Sequence, residues 1–300
     1  MEKKYKFKLE FLLYRITEVF IKILPEFTLP LFYWSLGTLF YIFGKRYTKI
    51  INKNLTIAFP EKDEKEKKKL IKESFFYLAK LIVDLTKYNS IKKIEKVMEK
   101  GDISSLKNAA AEGKGAILIS GHFGNWELGL LWIGKNVEKI SAIVRKMDNP
   151  YVEKKLRAFR EQTGNTIIYK DMRAAAKSLK VLKEKKFLGI MVDVSQQEKE
   201  GIYANFFTKL ASTTPTPAKF HLKTGAPIIP VFTIPKGRKY QIYSLPPIEV
   251  ELTGNKEKDT LLITERINKT LENEIRKYPQ YYFWFHKRWK HQPGNRIDEY

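Results

Sequence analysis

Beyond residue 101, hydrophobic and polar positions fall into two alternating rhythms. Short apolar runs, of which Ala116-Ile117-Leu118-Ile119 is the clearest, read as buried strands, and longer mixed stretches read as helices with one apolar face. The pattern predicts strands over residues 115–120, 140–145, 166–169, 187–193, 227–234 and 240–245. It predicts helices over 105–112, after residue 127, and over 151–163, 172–185, 216–224 and 260–277, with Phe206-Phe207 in a loop. Strands alternating with helices imply an α/β fold whose mostly parallel central sheet is flanked by helices on both faces. Sites in such folds lie beyond the carboxyl ends of strands, where both His122 and Asp193 fall.

The first fifty residues follow another pattern. Residues 9–24 read as an amphipathic helix interrupted by Glu10, Arg15, Glu18 and Lys22, and residues 27–44 carry no charge at all. That uncharged run is at the lower edge of what crosses a hydrocarbon core. Its aromatics, Phe32, Tyr33, Trp34, Phe40, Tyr41 and Phe43, are spread through it rather than gathered at its ends. Spanning once, re-entering and lying in the interface all stay open, as does a core helix of a soluble protein. Lys45, Arg46 and Lys49 follow directly and would keep the remainder on the cytoplasmic side. No small-residue cleavage site marks a secretory signal. The expected organisation is a helical membrane anchor over residues 1–50 and a single domain over 51–300. Within the latter, residues 61–99 read as helix, opening on a mixed-sign, solvated face.

Composition narrows the chemistry. A formal charge of +23 over 300 residues implies an acidic partner: nucleic acid, an anionic membrane surface, a phosphorylated substrate or an acidic carrier protein. The absence of cysteine excludes a thiolate nucleophile and thiolate metal ligands.

The turn Gly121-His122-Phe123-Gly124-Asn125-Trp126-Glu127 holds one of only four histidines, with a carboxylate five positions on. Five residues of regular helix rotate by roughly 500°, leaving side chains about 140° apart. The pair can meet only with His122 in the turn and Glu127 in the first helical turn. A neutral imidazole beside a carboxylate can take a proton from a hydroxyl, the carboxylate fixing its tautomer; a capping histidine beside a solvated glutamate is the bland reading. The spacing is neither a zincin motif nor a nucleophile elbow, and neither Gly-x-Gly-x-x-Gly nor a P-loop occurs. Arg145 and Arg160 offer forks for phosphate or carboxylate, or else pair with Asp148 and Glu161 at the surface. Asp193 is a site residue or a strand-end cap. His221 and His291 read as packing or surface residues, and His286 as part of an aromatic, basic, interfacial tail without a catalytic role.

His122-Phe123-Gly124-Asn125-Trp126-Glu127 resembles the His-x4-Asp/Glu motif of the glycerolipid acyltransferase superfamily, in the form used by the lipid A biosynthesis late acyltransferases. Other matches come in order: Asn54-Leu55 with Phe59-Pro60, Arg145 with Asn149-Pro150, Arg160, Asp193, Phe206-Phe207, Ala211-Ser212-Thr213-Thr214, Gly225-Ala226 with Pro230, and Pro279-Gln280 through Trp284, His286 and Arg288-Trp289-Lys290. Two departures stand out: Val194-Ser195 follows Asp193 where the family often has glutamine, and Thr208 replaces a glycine. The resemblance implies an O-acyltransferase moving a fatty acyl chain from a thioester, carried by acyl carrier protein, to a hydroxyl of a membrane glycolipid, a lipid A precursor first of all. It implies His122 and Glu127 as the catalytic pair, and Arg145, Arg160, Asp193 and Asn125 as substrate-binding residues. It implies no metal and no cofactor, a location at the inner membrane facing the cytoplasm, an anionic lipid surface as partner and no nucleic acid. Acylation of a lysophospholipid or a mannosylated phosphoinositide is the competing enzyme reading. A basic nucleic-acid-binding protein is the competing reading of another class, though it has no recognised binding motif.

Overall fold

The architecture comes from a computed structural model describing residues 2–294, 296–297 and 300. Helices come first: α1 (Glu2–Ile23), α2 (Leu29–Phe43), α3 (Lys45–Ala58), α4 (Glu64–Lys87) and the short α5 (Ile91–Val97). The alternating part runs β1 (Met98–Lys100), α6 (Ser104–Ala111), β2 (Ala116–Ser120), α7 (Trp126–Asn136), β3 (Ile140–Val144), α8 (Pro150–Glu161), β4 (Thr166–Tyr169), α9 (Ala174–Lys183) and β5 (Phe187–Met191). After it come the hairpin β6 (Ile202–Phe206) and β7 (Lys209–Thr213), α10 (Thr216–Thr224), β8 (Ile228–Lys236), β9 (Lys239–Ser244) and α11 (Lys256–Lys277).

Seven strands form the central sheet in the order β1-β9-β8-β2-β5-β3-β4. Every neighbouring pair is parallel except the β8–β9 hairpin, so the sheet is mostly parallel, as the strand–helix alternation predicts. β2 lies between β8 and β5 and shows why the apolar runs do not alternate. Ile117 and Ile119 face a core completed by α3, α4, α9, α10 and α11, while Ala116 and Leu118 face one completed by α5, α6 and α7. Successive side chains of a strand point to opposite faces, so both must be apolar when helices cover both.

Three boundaries differ from the sequence reading. Asp63 and Glu66 form a reciprocal capping box, so the helix begins at Glu64 and not at residue 61. Its far end gives way to α5, and residues 98–100 leave as edge strand β1 beside β9, three residues being too few to show a period. The expected loop at Phe206-Phe207 is a tight antiparallel hairpin, with Phe207 itself in the left-handed region at φ 56°. Thr208, one of the two departures noted above, donates its hydroxyl to the Ile57 carbonyl at 2.5 Å and so ties the hairpin to α3.

The N-terminal helices pack on the others through one side only. α1 and α2 are bent by 109° relative to each other. Among the described residues no single helix is long and apolar enough to cross a membrane; only this bent pair together meets the length and composition required. Lys87, buried on α4, donates to the carbonyls of Leu24 at 2.5 Å and Lys22 at 3.0 Å, taking up free acceptors at the C-terminal end of α1.

Candidate active site

The glycine-bracketed turn follows β2 and is fastened from both sides. Gly124 has φ 62°, and a Cβ there would lie 2.0 Å from the Thr233 carbonyl oxygen, so only glycine fits against β8. Asn125 donates its backbone N–H to that same carbonyl at 2.7 Å and caps α7 by accepting from the Leu128 N–H at 3.3 Å. From the opposite side, Phe283 N–H donates to the His122 carbonyl at 2.8 Å, and Gly124 N–H donates to the Tyr281 carbonyl at 2.9 Å. The C-terminal segment is held in turn by buried Asn54 of α3, whose Nδ2 donates to the carbonyls of Trp284 at 2.8 Å and His286 at 2.7 Å. A residue of the early Asn-Leu motif thus supports the turn from across the fold.

His122 is paired with Asp193. Oδ1 of Asp193 is 2.9 Å from His122 Nδ1, and Oδ2 accepts the His122 backbone N–H at 2.7 Å. The expectation that Glu127 orients the imidazole is corrected here: the hydrogen bond to the ring comes from Asp193, 71 residues further on. With Nδ1 donating to a carboxylate, Nε2 keeps its lone pair for a substrate. Burial pushes the His122 imidazolium toward losing its proton, but the charge and hydrogen bond of Asp193, helped by the charge of Glu127, outweigh it and hold its pKa above the ordinary 6.5. Burial would raise the Asp193 carboxyl; the neighbouring His122 outweighs that and holds it at about 2.

Glu127 has a different partner. Because α7 starts at Trp126, its carboxylate is carried toward α8, where Arg160 grips it. Arg160 Nε donates to Oε2 at 2.9 Å and to Oε1 at 3.2 Å, and Nη2 also donates to Oε1. The side chains are 13% and 6% exposed, which sets this fork apart from a surface ion pair. The alternative partner suggested by the sequence, Glu161, is taken by Arg157.

These groups line a cavity of about 730 Å³. His122, Glu127, Arg160 and Arg145 lie along it with His286 and Ser195, and it continues between α7 and the sheet past Leu118, Leu130, Ile133, Ala142 and Val231. Arg145 is 86% exposed, its nearest carboxylate being Asp148 at 3.9 Å, so its guanidinium stands largely in solvent at the cavity. Asn125, expected to bind substrate, is fully buried and does not line the cavity; its Oδ1 caps α7, and its Nδ2 is buried without a hydrogen-bond partner among the described residues.

His286 is the residue the sequence reading passed over. Its ring lies edge-on to His122, centroids 4.9 Å apart, and also packs on Phe283. Burial, reinforced by the nearby positive His122, lowers its pKa to about 4, so it is a neutral imidazole at ordinary pH. Its place in an aromatic, basic tail suggests an interfacial anchor; the clamp on the glycine-bracketed turn cannot be read from spacing. Among the described residues no group of three or more His, Asp or Glu side chains is arranged to hold a metal ion.

The arrangement can take a proton from a group bound at Nε2, stabilise the resulting imidazolium through Asp193, and house an apolar chain beside it. Known proteins are similar to the chain over most of its length. Residues 3–291 match the model of the bacterial lipid A biosynthesis acyltransferases. The chain is 25% identical to a lipid A biosynthesis lauroyltransferase of Escherichia coli (strain K12), over 86% of this chain and 84% of the relative. It is also 25% identical to that organism's lipid A biosynthesis palmitoleoyltransferase, over 84% and 81%. A phosphatidylinositol mannoside acyltransferase of Mycolicibacterium smegmatis is similar over less, at 22% identity covering 63% of this chain and 61% of the relative. With the family's model matched from the first helix to the tail, the chain is an acyltransferase and belongs to the bacterial lipid A biosynthesis acyltransferase family.

Proposed function

We propose that this enzyme transfers a fatty acyl chain from an acyl carrier protein thioester to a hydroxyl of a lipid A precursor at the cytoplasmic face of the inner membrane. The observation that carries the reading is His122, held by Asp193 on a cavity that combines arginines at one part with an apolar slot at another. The donor's acyl chain occupies the slot between α7 and the sheet, and the arginines meet phosphate on the acceptor. The acceptor hydroxyl gives its proton to His122 Nε2 as its oxygen attacks the thioester carbonyl. Collapse of the tetrahedral intermediate breaks the C–S bond, and the departing thiolate takes the proton back from His122. Asp193 fixes the tautomer and stabilises the imidazolium between these two events. Glu127 adds negative charge near His122 and sets the Arg160 fork beside the acceptor. His286 stays neutral, so it adds no second positive charge against the imidazolium. No acyl-enzyme is needed.

An anionic membrane surface is the partner that suits α1 and α2. Leu12, Leu13, Ile16, Val19 and Ile23 are each more than half exposed, as are Phe27, Leu31, Trp34 and Phe43. Such a face, bordered by Lys45, Arg46 and Lys49, lies in the interface among anionic lipids. The loop after β3, whose Arg145 and Met147 line the cavity, touches α1: Asn149 donates to the Phe7 carbonyl at 3.0 Å. The acceptor's route on this reading runs from the lipid face of α1 past this loop. The similarity to an acyltransferase of phosphatidylinositol mannoside gives a second acceptor to test. Purified enzyme would be given acyl carrier protein thioester and either a lipid A precursor or a mannosylated phosphoinositide, with products read by mass spectrometry. Acylation of the lipid A precursor is expected; acylation of the mannoside alone would overturn the choice of acceptor.

A further inference from the structure

Helix α1 is amphipathic in the reverse sense to a helix of a water-soluble core. Leu9, Leu12, Leu13, Ile16 and Ile23 face outward and only Ile21 among its leucines and isoleucines is buried, while Glu18 is only 2% exposed and is turned toward the protein. The Glu18 carboxylate is shared by three cations. Lys22 Nζ donates to Oε1 at 2.6 Å and Arg15 Nη1 to Oε2 at 2.9 Å, both from α1 itself, and Lys155 donates to Oε2 from α8. Burial would raise the Glu18 pKa, but its lysine partners lower it, so the carboxylate is charged and the link to α8 is ionic.

The ionic link is one of several along the same seam. Asn149, the cap of α8, turns its Nδ2 to the Phe7 carbonyl and to Glu10 Oε2, each at 3.0 Å. Phe11 and Tyr151 stack with centroids 5.7 Å apart, and Lys155 Nζ lies 5.2 Å above the Tyr14 ring. Contact with α1 thus reaches from the cap of α8 through its second turn. On its other side α8 packs the partly buried Phe159 against the core around α7 and meets Glu127 through Arg160. Its only fully buried residue is Glu153, which accepts from the Met147 N–H at 2.6 Å and the Tyr169 hydroxyl at 2.7 Å. A helix without a buried apolar stripe takes its position from such polar and edge contacts, and shifts when they are removed.

α8 is also the helix that carries Arg160. We propose that α1 is the positioning element for the Arg160–Glu127 pair: one face meets lipid, the other sets α8, and lipid engagement therefore tightens the site. The kinetic part of this inference rests on the proposed acyl transfer; the structural part does not. Glu18 acts as a positioning residue, with no contact to substrate.

The test reads both parts on the full-length chain. Hydrogen–deuterium exchange over residues 150–161 is measured with and without vesicles of phosphatidylethanolamine and phosphatidylglycerol. Vesicles should slow exchange there several-fold in the unaltered protein. In Glu18→Gln, exchange over 150–161 should be faster by roughly tenfold and insensitive to vesicles, while exchange over residues 116–120 stays the same. Lys155→Met, which cuts the same link from α8, should repeat this if Glu18→Gln folds poorly. Kinetically, kcat/KM for the acceptor should fall by about tenfold in Glu18→Gln, and much less when the change is added to Arg160→Lys, since both act on one pair. Thioester hydrolysis without acceptor should change less than twofold. Exchange over 150–161 that ignores both vesicles and the substitutions overturns the proposal even if acyl transfer proceeds as described. Losses that simply multiply with Arg160→Lys overturn its kinetic part. A failure of the proposed reaction itself would show in the unaltered enzyme, as no acylated product, and would leave the exchange result standing.

Discussion

The sheet edge around His122 and the helix pair α1–α2 obey opposite rules of burial. At the sheet edge the apolar residues are inside: Ile117, Phe123 and Leu128 are fully buried, and the two carboxylates among them are paired, Asp193 with His122 and Glu127 with Arg160. On α1 most large apolar residues are outside, Ile21 excepted, and the Glu18 carboxylate is inside, wrapped by three cations. One physical principle produces both, because each surface matches what lies against it. The sheet edge makes its own surroundings, whereas the outward face of α1 is left uncovered by the described residues, as the proposed lipid contact requires. The comparison also explains why the site's two carboxylates differ. Asp193 sits on a strand end locked into the sheet, and Glu127 reaches an arginine on α8, whose seat is shared with α1.

The change expected to break the sheet-edge half most severely is Asp193→Asn. It keeps the shape but no longer supplies a charge to the imidazolium, and kcat should fall by roughly 10²–10⁴-fold. The pH profile gives the sign. His122 is held above 6.5 and is a base only when neutral, so kcat/KM of the unaltered enzyme should fall as pH drops through a value above 6.5. Without the Asp193 charge, burial dominates and lowers the histidine, so that acid limb should move to lower pH. A limb that stays in place in Asp193→Asn would break the assignment of the pair.

Next in size is Arg160→Met. It leaves Glu127 with its buried charge unpaired, and urea unfolding should show a loss of about 3–5 kcal/mol. Arg160→Met combined with Glu127→Leu should recover most of that stability without recovering activity, separating the pair's role in the fold from its role in the reaction.

The smallest effect on stability belongs to the other region. Leu12→Ser, Leu13→Ser and Ile16→Ser together should leave the unfolding free energy within roughly 1 kcal/mol, since each side chain is already more than half exposed. Flotation with phosphatidylglycerol vesicles should nonetheless drop sharply. A large loss of stability with unchanged flotation would mean that this face packs against protein instead.

Much of the fold was legible in the residues. Runs such as 116–119 are apolar at every position because helices cover both faces of β2, and that rule carried the order of strands and helices. The hairpin of β6 and β7 escaped because its turn places Phe207, not a glycine, at positive φ, and no local signal marks that. Within the site, the sequence led to His122, Asp193, Glu127 and Arg160, but the five-residue spacing suggested the wrong partner for the imidazole. The partnership is set by the parallel register of β2 and β5, which brings positions 71 residues apart to one edge. Asn54 and His286 act over longer separations still, through a C-terminal segment that doubles back on the turn, and a chain read in order carries no trace of that path.

The central claim is that His122, held by Asp193, takes the proton from the acceptor hydroxyl. Acyl transfer by purified His122→Ala, with its thermal unfolding recorded beside that of the unaltered enzyme, tests it most directly. The account predicts a folded protein whose turnover is lower by roughly 10³-fold or more, with donor binding retained. A folded His122→Ala protein with full activity would contradict it.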